Sequence, residues 1–138
     1  MDVELEKQIA RALIRREFSE RFLHELGAPG YNVIHKLPRM VEDRLVVGQS
    51  DGFAPPSHIV DTMRRFNVGS MCYVLSEFDE FHRVYVPLRT ALEAMQFSGF
   101  PAFVVGLPSG FSYLKSTAYA SRPISCFIQP FRGFDRIP

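Results

Sequence analysis

The sequence predicts an α/β (or α+β) fold: a single domain with a mixed, mostly parallel sheet of about five strands flanked by helices. Strand-like apolar runs alternate along the chain with segments of helical periodicity. The runs MCYVL and AFVV are continuously apolar, which is typical of parallel strands that are buried on both faces. An early predicted hairpin makes the sheet mixed.

The composition bounds the class of protein. The chain has 138 residues, 46% hydrophobic and 22% charged, which predicts one globular domain spanning residues 1–138 and a soluble protein. A formal charge of +1 gives no general attraction to nucleic acid or to anionic membranes, so we expect neither as a partner. The charged N-terminal segment lacks the apolar centre of a secretory signal, and we expect a cytoplasmic location.

A long N-terminal helix is predicted from about Asp2 to Leu26, ended by Gly27. Its apolar residues form two sets with helical spacing: Leu5, Ile9 and Leu13, then Phe18, Phe22 and Leu26. The apolar face shifts around Arg15 and Arg16, so the helix either contacts two surfaces or breaks near its middle. Residues 1–27 are therefore predicted to contact a partner as well as their own domain.

The remaining chain alternates between the two patterns. The predicted strands are Tyr31 to Leu37, Arg44 to Val47, Ser70 to Leu75, Ala102 to Val105 and Ile124 to Gln129. The first two are expected to form the hairpin. Helices are predicted from Pro55-Pro56-Ser57 to Asn67, which closes the helix in a left-handed conformation, and from Pro87 to Gly99. A short helical turn follows Ser76, and residues 111–121 fit a helix or a strand equally.

Two similar stretches, VVGQSDGF (46–53) and VVGLPSGF (104–111), share five of eight residues. The first contains the G-x-S-x-G spacing of a serine nucleophile elbow at Ser50. A hydrolytic site would need partners such as Asp79 and His82. Because Phe53-Ala54-Pro55-Pro56 separates the serine from the next predicted helix, an ordinary strand-ending turn is the alternative.

The same two loops are candidates for binding an anion through backbone N–H groups, although neither has the GK[ST] ending of a phosphate-binding loop. The candidate ligand-binding residues are Gly48, Ser50, Asp51, Gly106 and Ser109. In a parallel sheet, the acidic segment Glu77 to Glu80 would lie at the same edge and supply acid–base groups or bind a divalent ion. A solvated helix start is the alternative for these carboxylates.

Four of the nine glycines are followed directly by phenylalanine: Gly52-Phe53, Gly99-Phe100, Gly110-Phe111 and Gly133-Phe134. Such pairs predict loops that turn at the glycine and are anchored by the ring in the interior, or an exposed aromatic patch suited to a partner. The candidate interaction residues are Phe18, Phe22, Phe131 and Phe134. The two cysteines, Cys72 and Cys126, are predicted to be buried free thiols.

Two classes of function fit these patterns. The favoured one is a non-enzymatic binding or protein-interaction module, with a protein partner or a second copy of the chain. The alternative is a small hydrolase or anion- or phosphate-binding domain, with its site at the strand-end loops around Ser50, Glu77 to Glu80 and Ser109. No cofactor is expected, and the scattered histidines predict no metal site. An enzymatic activity stays open.

Overall fold

The structure is a computed structural model that describes residues 1–28, 32–50, 54–98, 101–117 and 123–130. The helices are α1 Val3–Leu13, α2 Ser19–Gly27, α3 Asn32–Met40, α4 Pro56–Arg65 and α5 Leu88–Ser98. The strands are β1 Val46–Ser50, β2 Val68–Ser76, β3 Val84–Pro87, β4 Ala102–Pro108, β5 Ser112–Thr117 and β6 Pro123–Ile128. Single 3-10 turns lie at Arg16–Phe18, Asp43–Leu45 and Asp79–Phe81.

The six strands form one sheet in the order β1-β6-β5-β4-β2-β3, and every neighbouring pair is antiparallel. The prediction of a mostly parallel sheet is therefore wrong, and the fold is α+β. Continuous apolar strands require cover on both faces of a sheet, and helices supply that cover here regardless of strand direction. Strand direction is set by connections and pairings, which the apolar runs do not encode.

Helices cover both faces, and successive residues of the central strands point into different layers. Tyr73 and Leu75 of β2 pack in one hydrophobic cluster with α1, α2 and α3. Cys72 and Val74 pack in the other with α4 and α5. Both cysteine thiols are free and buried, as expected, and burial raises the pKa of Cys72 to about 12. No helix in the described ranges is long and apolar enough to cross a bilayer.

The N-terminal segment is not one continuous helix: of the two predicted alternatives, the break near the middle is the one observed, where the apolar face shifts. α1 ends at Leu13, Ile14 forms an isolated antiparallel bridge with Val41, and α2 begins at Ser19. The break turns the second helix so that both apolar sets reach the same side of the sheet. Leu5 and Phe22 are each fully buried in one cluster.

The predicted hairpin at 31–37 and 44–47 is also wrong, because residues 32–40 form α3. Four buried residues follow helical spacing: Val33, Ile34, Leu37 and Met40. Pro38 lies inside the helix, where it cannot donate a backbone hydrogen bond. The predicted hairpin instead places Pro38 in the connection between its two strands. β1 runs through Gly48 to Ser50, and the short strand β3 was not predicted.

The local predictions elsewhere hold. α4, α5, β2, β4 and β6 lie within a few residues of their predicted positions. Asn67 has a φ of 63°, the left-handed conformation expected at the end of α4. The predicted inward face of α5 is buried, at Leu88, Leu92 and Met95. The ambiguous segment contains β5, a strand with neighbours on both sides.

Candidate functional site

The two glycine-containing stretches of the sequence end at opposite ends of the strands. Pairing of Ser50 with Ser125, and of Ser76 with Ala102, places the C-terminal ends of β1 and β2 at the same end of the sheet. β4 runs in the opposite direction, so Gly106 and Ser109 lie toward the other end. Gly48 and Gly106 therefore do not contribute to one ligand site, and Asp51 lies outside the described residues.

Ser50 is also remote from the acid and histidine proposed as its partners. β6, β5 and β4 separate β1 from β2, so the two strands are about 19 Å apart at the usual strand spacing. That exceeds the reach of a hydrogen bond between Ser50 and His82. The His82 Nδ1 atom instead accepts from the Ser76 backbone N–H at 3.2 Å. Burial, and then the nearby Arg83 charge, lower the pKa of His82.

The acidic segment after β2 is engaged in contacts within the protein. The Glu77 carboxylate contacts the His35 ring of α3. Asp79 begins the 3-10 turn, and Ser76 Oγ bonds the Phe81 carbonyl at the end of that turn at 2.8 Å. Within the described ranges, no three His, Cys, Asp or Glu side chains are grouped as metal ligands.

The stretch 104–111 is the β4–β5 hairpin. The Gly110 N–H donates to the Gly106 carbonyl at 2.8 Å, and Gly110 has a φ of 80°, which favours glycine. Phe111 is buried and stacks on Phe66 with ring centroids 4.1 Å apart. This Gly-Phe pair anchors its loop as predicted, with the Ser109 Oγ accepting from the Phe111 N–H at 3.3 Å. The other three pairs include undescribed residues.

The two candidate interaction residues of the N-terminal region differ in exposure. Phe22 is fully buried in the core, so its ring is not available to a partner. Phe18 is partly buried and packs against the same cluster from its edge. Phe131 and Phe134 lie outside the described residues.

Phe18 lines a cleft between α2 and α3, which we call the cationic cleft. Its volume is about 170 Å³, and its lining is formed by Phe18, Arg21, Lys36, Arg39 and Met40. Three of these five residues carry a positive charge, and the other two offer apolar surface. The cleft thus combines a cationic rim with a wall suited to a small hydrophobic group.

Backbone hydrogen bonds fix the position of this cleft. The Arg15 N–H donates to the Met40 carbonyl at 2.7 Å, and the Glu42 N–H donates to the Leu13 carbonyl at 3.0 Å. The Arg15 side chain also donates from Nε to the Val41 carbonyl at 3.4 Å. The two bonds from Arg15 engage carbonyls at the C-terminal end of α3, which would otherwise present partial negative charge near the cleft.

Glu25 neutralises part of the positive charge. Lys36 Nζ lies 2.5 Å from Glu25 Oε1, and Arg21 Nε lies 3.7 Å from the same oxygen. The hydrogen bond from Lys36 is the main reason that the pKa of Glu25 lies below its usual value. Arg39 has no ion pair or hydrogen bond among the described residues. The cleft therefore carries more positive than negative charge, with Arg39 available to a ligand.

Sequence reasoning missed this cleft because two of its three cations, Lys36 and Arg39, lie in the segment assigned to a hairpin. As helical residues, Lys36 and Arg39 are three positions apart and share one face. Arg21 and Glu25 have the corresponding four-residue spacing on α2. The spacing of these charged residues therefore indicates a shared face, but only once residues 32–40 are known to be a helix.

A second polar cluster, centred on Glu6, holds α1 against the sheet. The Glu6 carboxylate is 2% exposed, and it accepts from Arg83 Nε at 2.8 Å, Arg83 Nη2 at 2.7 Å and the Tyr73 hydroxyl at 2.6 Å. Tyr73 in turn accepts from the Asp2 backbone N–H at 3.0 Å, and Tyr85 donates to the Asp2 carboxylate. Arg83 has a φ of 60°. These groups bond to one another, and we interpret the cluster as structural.

Comparison of the chain with protein-family models, curated proteins and solved structures finds no match.

Proposed function

We propose that this protein is a non-enzymatic binding protein that holds a small organic anion in the cationic cleft. The single observation that carries the proposal is the convergence of Arg21, Lys36 and Arg39 on one cleft with one paired carboxylate, Glu25. Arginine guanidinium groups bind carboxylates and phosphates through paired hydrogen bonds, and lysine adds a point charge.

The apolar part of the lining favours an anion attached to a small hydrophobic group. Phe18 and Met40 form that part of the cleft, and both also belong to or pack against the core below α2 and α3. A volume of about 170 Å³ admits a phosphate or carboxylate with a ring or short chain. An aryl phosphate or aryl carboxylate is the ligand class that matches both features.

The proposal is tested by isothermal titration calorimetry with phenyl phosphate, inorganic phosphate and phenol. We expect saturable binding of phenyl phosphate, weaker binding of phosphate and none of phenol, because the charge and the ring both contribute. Arg39→Gln removes the unpaired cation without breaking a described ion pair. We expect it to weaken binding by about tenfold, the value of one charge-assisted hydrogen bond.

Arg64→Gln is the matched control, because Arg64 is an exposed arginine on α4, on the other face of the sheet. Its affinity should equal that of the unchanged protein. An equal loss of affinity in both variants would indicate general charge attraction and contradict a site at the cleft. Absence of saturable binding by all three probes would also reject the proposal.

A protein partner at β1 is the second candidate function, favoured by Val47. This side chain is 51% exposed on a strand that pairs on one side only within the described part of the chain. Exposed strand edges accept an added strand from another chain. Val47→Lys should then dissociate an oligomer or complex in size-exclusion chromatography, whereas Val3→Lys, at an exposed residue of α1, should not. Equal assembly of all three proteins would exclude β1 as the interface.

A further inference from the structure

Lys115 occupies an unusual position for a charged residue. It lies opposite Ala102 of β4 and Ser125 of β6, so it is on an interior strand, β5, that is paired on both sides. Tyr113, two residues earlier on the same face of the strand, is 2% exposed and belongs to the core cluster below α4 and α5. The side chain of Lys115 is therefore directed into the layer between the sheet and these helices, where it is half-buried.

Lys115 lines a narrow cleft, which we call the lysine cleft. Its other lining residues are Ala54, Pro56, Ile59, Leu92, Met95, Gln96 and Tyr113. Among these described residues there is no carboxylate, and Tyr113 is the one titratable side chain. Lys115 has no hydrogen bond or ion pair within the described ranges. Burial alone lowers its pKa, with no neighbouring charge contributing.

A lysine in such a place has two properties at once. Its amine is less protonated near neutral pH than that of an ordinary lysine, and its nitrogen carries a free lone pair when it is neutral. Lys115 is half-buried, so part of its side chain is open to solvent. Lysines in apolar pockets are the nucleophiles that form Schiff bases with carbonyl compounds.

We propose that the Lys115 amine is a nucleophile that forms a reversible imine with a small apolar aldehyde. This covalent site lies on the opposite face of the sheet from the cationic cleft and does not depend on anion binding there. The cleft that Lys115 shares with Leu92, Met95 and Ile59 carries the proposal, since these side chains bear no charge and favour an apolar aldehyde.

The chemistry requires no external oxidant or reductant. The nitrogen lone pair of the neutral amine attacks the carbonyl carbon, and the C=O π electrons move to the oxygen. Transfer of a proton from nitrogen to oxygen gives a neutral carbinolamine. Loss of its hydroxyl group with the remaining N–H proton releases one water and leaves the C=N bond. Hydrolysis by one water reverses the sequence.

The dimensions of the lysine cleft restrict the aldehyde. Its internal volume of about 20 Å³ is close to the space of a single water molecule. Only about one heavy atom can enter, and the rest of the molecule must lie in the opening. A short unbranched aldehyde fits this requirement, whereas an aldehyde branched next to the carbonyl does not.

The chain provides its own controls, because it contains three lysines. Lys7 is exposed and lies 3.4 Å from Glu4, and Lys36 is bonded to Glu25. The full-length protein is incubated with propanal and sodium cyanoborohydride between pH 6 and 9, where hydride reduction traps the imine as an N-propyl group. Peptide mass spectrometry then gives the rate at each lysine separately.

We expect Lys115 to be modified at least about three times faster than Lys7 at pH 7, because more of its amine is neutral there. The ratio of the Lys115 rate to the Lys7 rate should decrease as the pH rises and should fall to about one in 8 M urea. In Lys115→Arg, modification at position 115 should be lost while the rate at Lys7 is unchanged. Replacing propanal by 2-methylpropanal should remove the advantage of Lys115.

Two results would overturn the proposal. One is modification of Lys115 at a rate equal to or below that of Lys7 at every pH in the folded protein. The other is an advantage of Lys115 that persists in urea, because the reactivity would then come from the local sequence and not from the cleft.

Discussion

The Arg83 guanidinium donates two hydrogen bonds to the Glu6 carboxylate, joining residues 77 positions apart in the chain. This pair attaches α1 to the turn before β3, and the Arg83 side chain is 16% exposed. A buried carboxylate that loses its cationic partner keeps its desolvation cost without compensation. The pair therefore controls the stability of the N-terminal helix.

Arg83→Met should lower the free energy of unfolding by about 3 kcal/mol, since Glu6 stays buried without its partner. The double variant Glu6→Met/Arg83→Met should recover part of this loss, because it removes both charges and leaves one unmet Tyr73 hydrogen bond of about 1 kcal/mol. Urea unfolding followed by circular dichroism measures both values, with Arg64→Met as an exposed control. If the double variant is less stable than Arg83→Met, the unpaired Glu6 carboxylate does not destabilise the folded protein, and the prediction is wrong.

Stability should fall as the pH rises above 10, because Tyr73 resists ionisation in the folded state. Burial, and then its hydrogen bond to Glu6, raise the pKa of Tyr73 above its ordinary value of 10.0. Above that value the unfolded chain has lost a proton that the folded protein keeps, so alkali favours unfolding. Tyr73→Phe should weaken this alkaline decline in urea-unfolding experiments at pH 8 to 11. A decline equally steep in both proteins would assign it to other groups.

Gly106→Ala should destabilise the protein by about 1 to 3 kcal/mol through overpacking. A Cβ at this position would lie 2.5 Å from Val68 Cγ2 and 2.7 Å from the Phe111 carbonyl oxygen. Gly27→Ala is the matched control, since nothing lies within 4 Å of its added Cβ at the end of α2. Thermal unfolding should show a lower Tm for the first variant and an equal or higher Tm for the second. Equal Tm values for the two variants would mean that Val68 and the β4–β5 hairpin accommodate the added methyl group without loss of stability.

Lys115→Met should stabilise the folded protein at pH 7, because it replaces a partly desolvated cation by an apolar side chain of similar length. The pKa of Lys115 is lowered on folding, so the unfolded chain binds more protons and the cost of this lysine decreases as the pH rises toward 10.5. The stability difference between variant and parent should therefore be larger at pH 7 than at pH 10.5 by chemical denaturation. A constant difference would show that packing alone is responsible.

The sequence predicted the features that depend on neighbouring residues. The buried face of Leu88, Leu92 and Met95 follows directly from helical periodicity, and Asn67 takes the left-handed conformation because its side chain tolerates it. The hairpin at Gly110-Phe111 is likewise a local event. The predictions that failed were those in which one local pattern fits two structures. Residues 32–40, for example, were assigned partly to a strand but form a helix.

The candidate sites depend on contacts that no local pattern reports. Strand direction decides whether Gly48 and Gly106 meet, and it follows from pairings such as that of Ser50 with Ser125. Arg21 and Arg39 become neighbours only because α3 is a helix that packs on α2. Lys115 is directed into the helical layer through the register of β5 against β4 and β6.

The order of elements along the chain has a consequence for how the protein folds. All five helices of the described residues precede β4, β5 and β6, which occupy the interior of the sheet. A chain emerging during synthesis therefore makes both helical layers before three of the four interior strands of the sheet on which they pack. β1 acquires its partner only when β6 arrives, which makes closure of the sheet a late step with a large loop-closure cost. The apolar faces of α1 to α5 must stay apart from other chains until the last strand is in place.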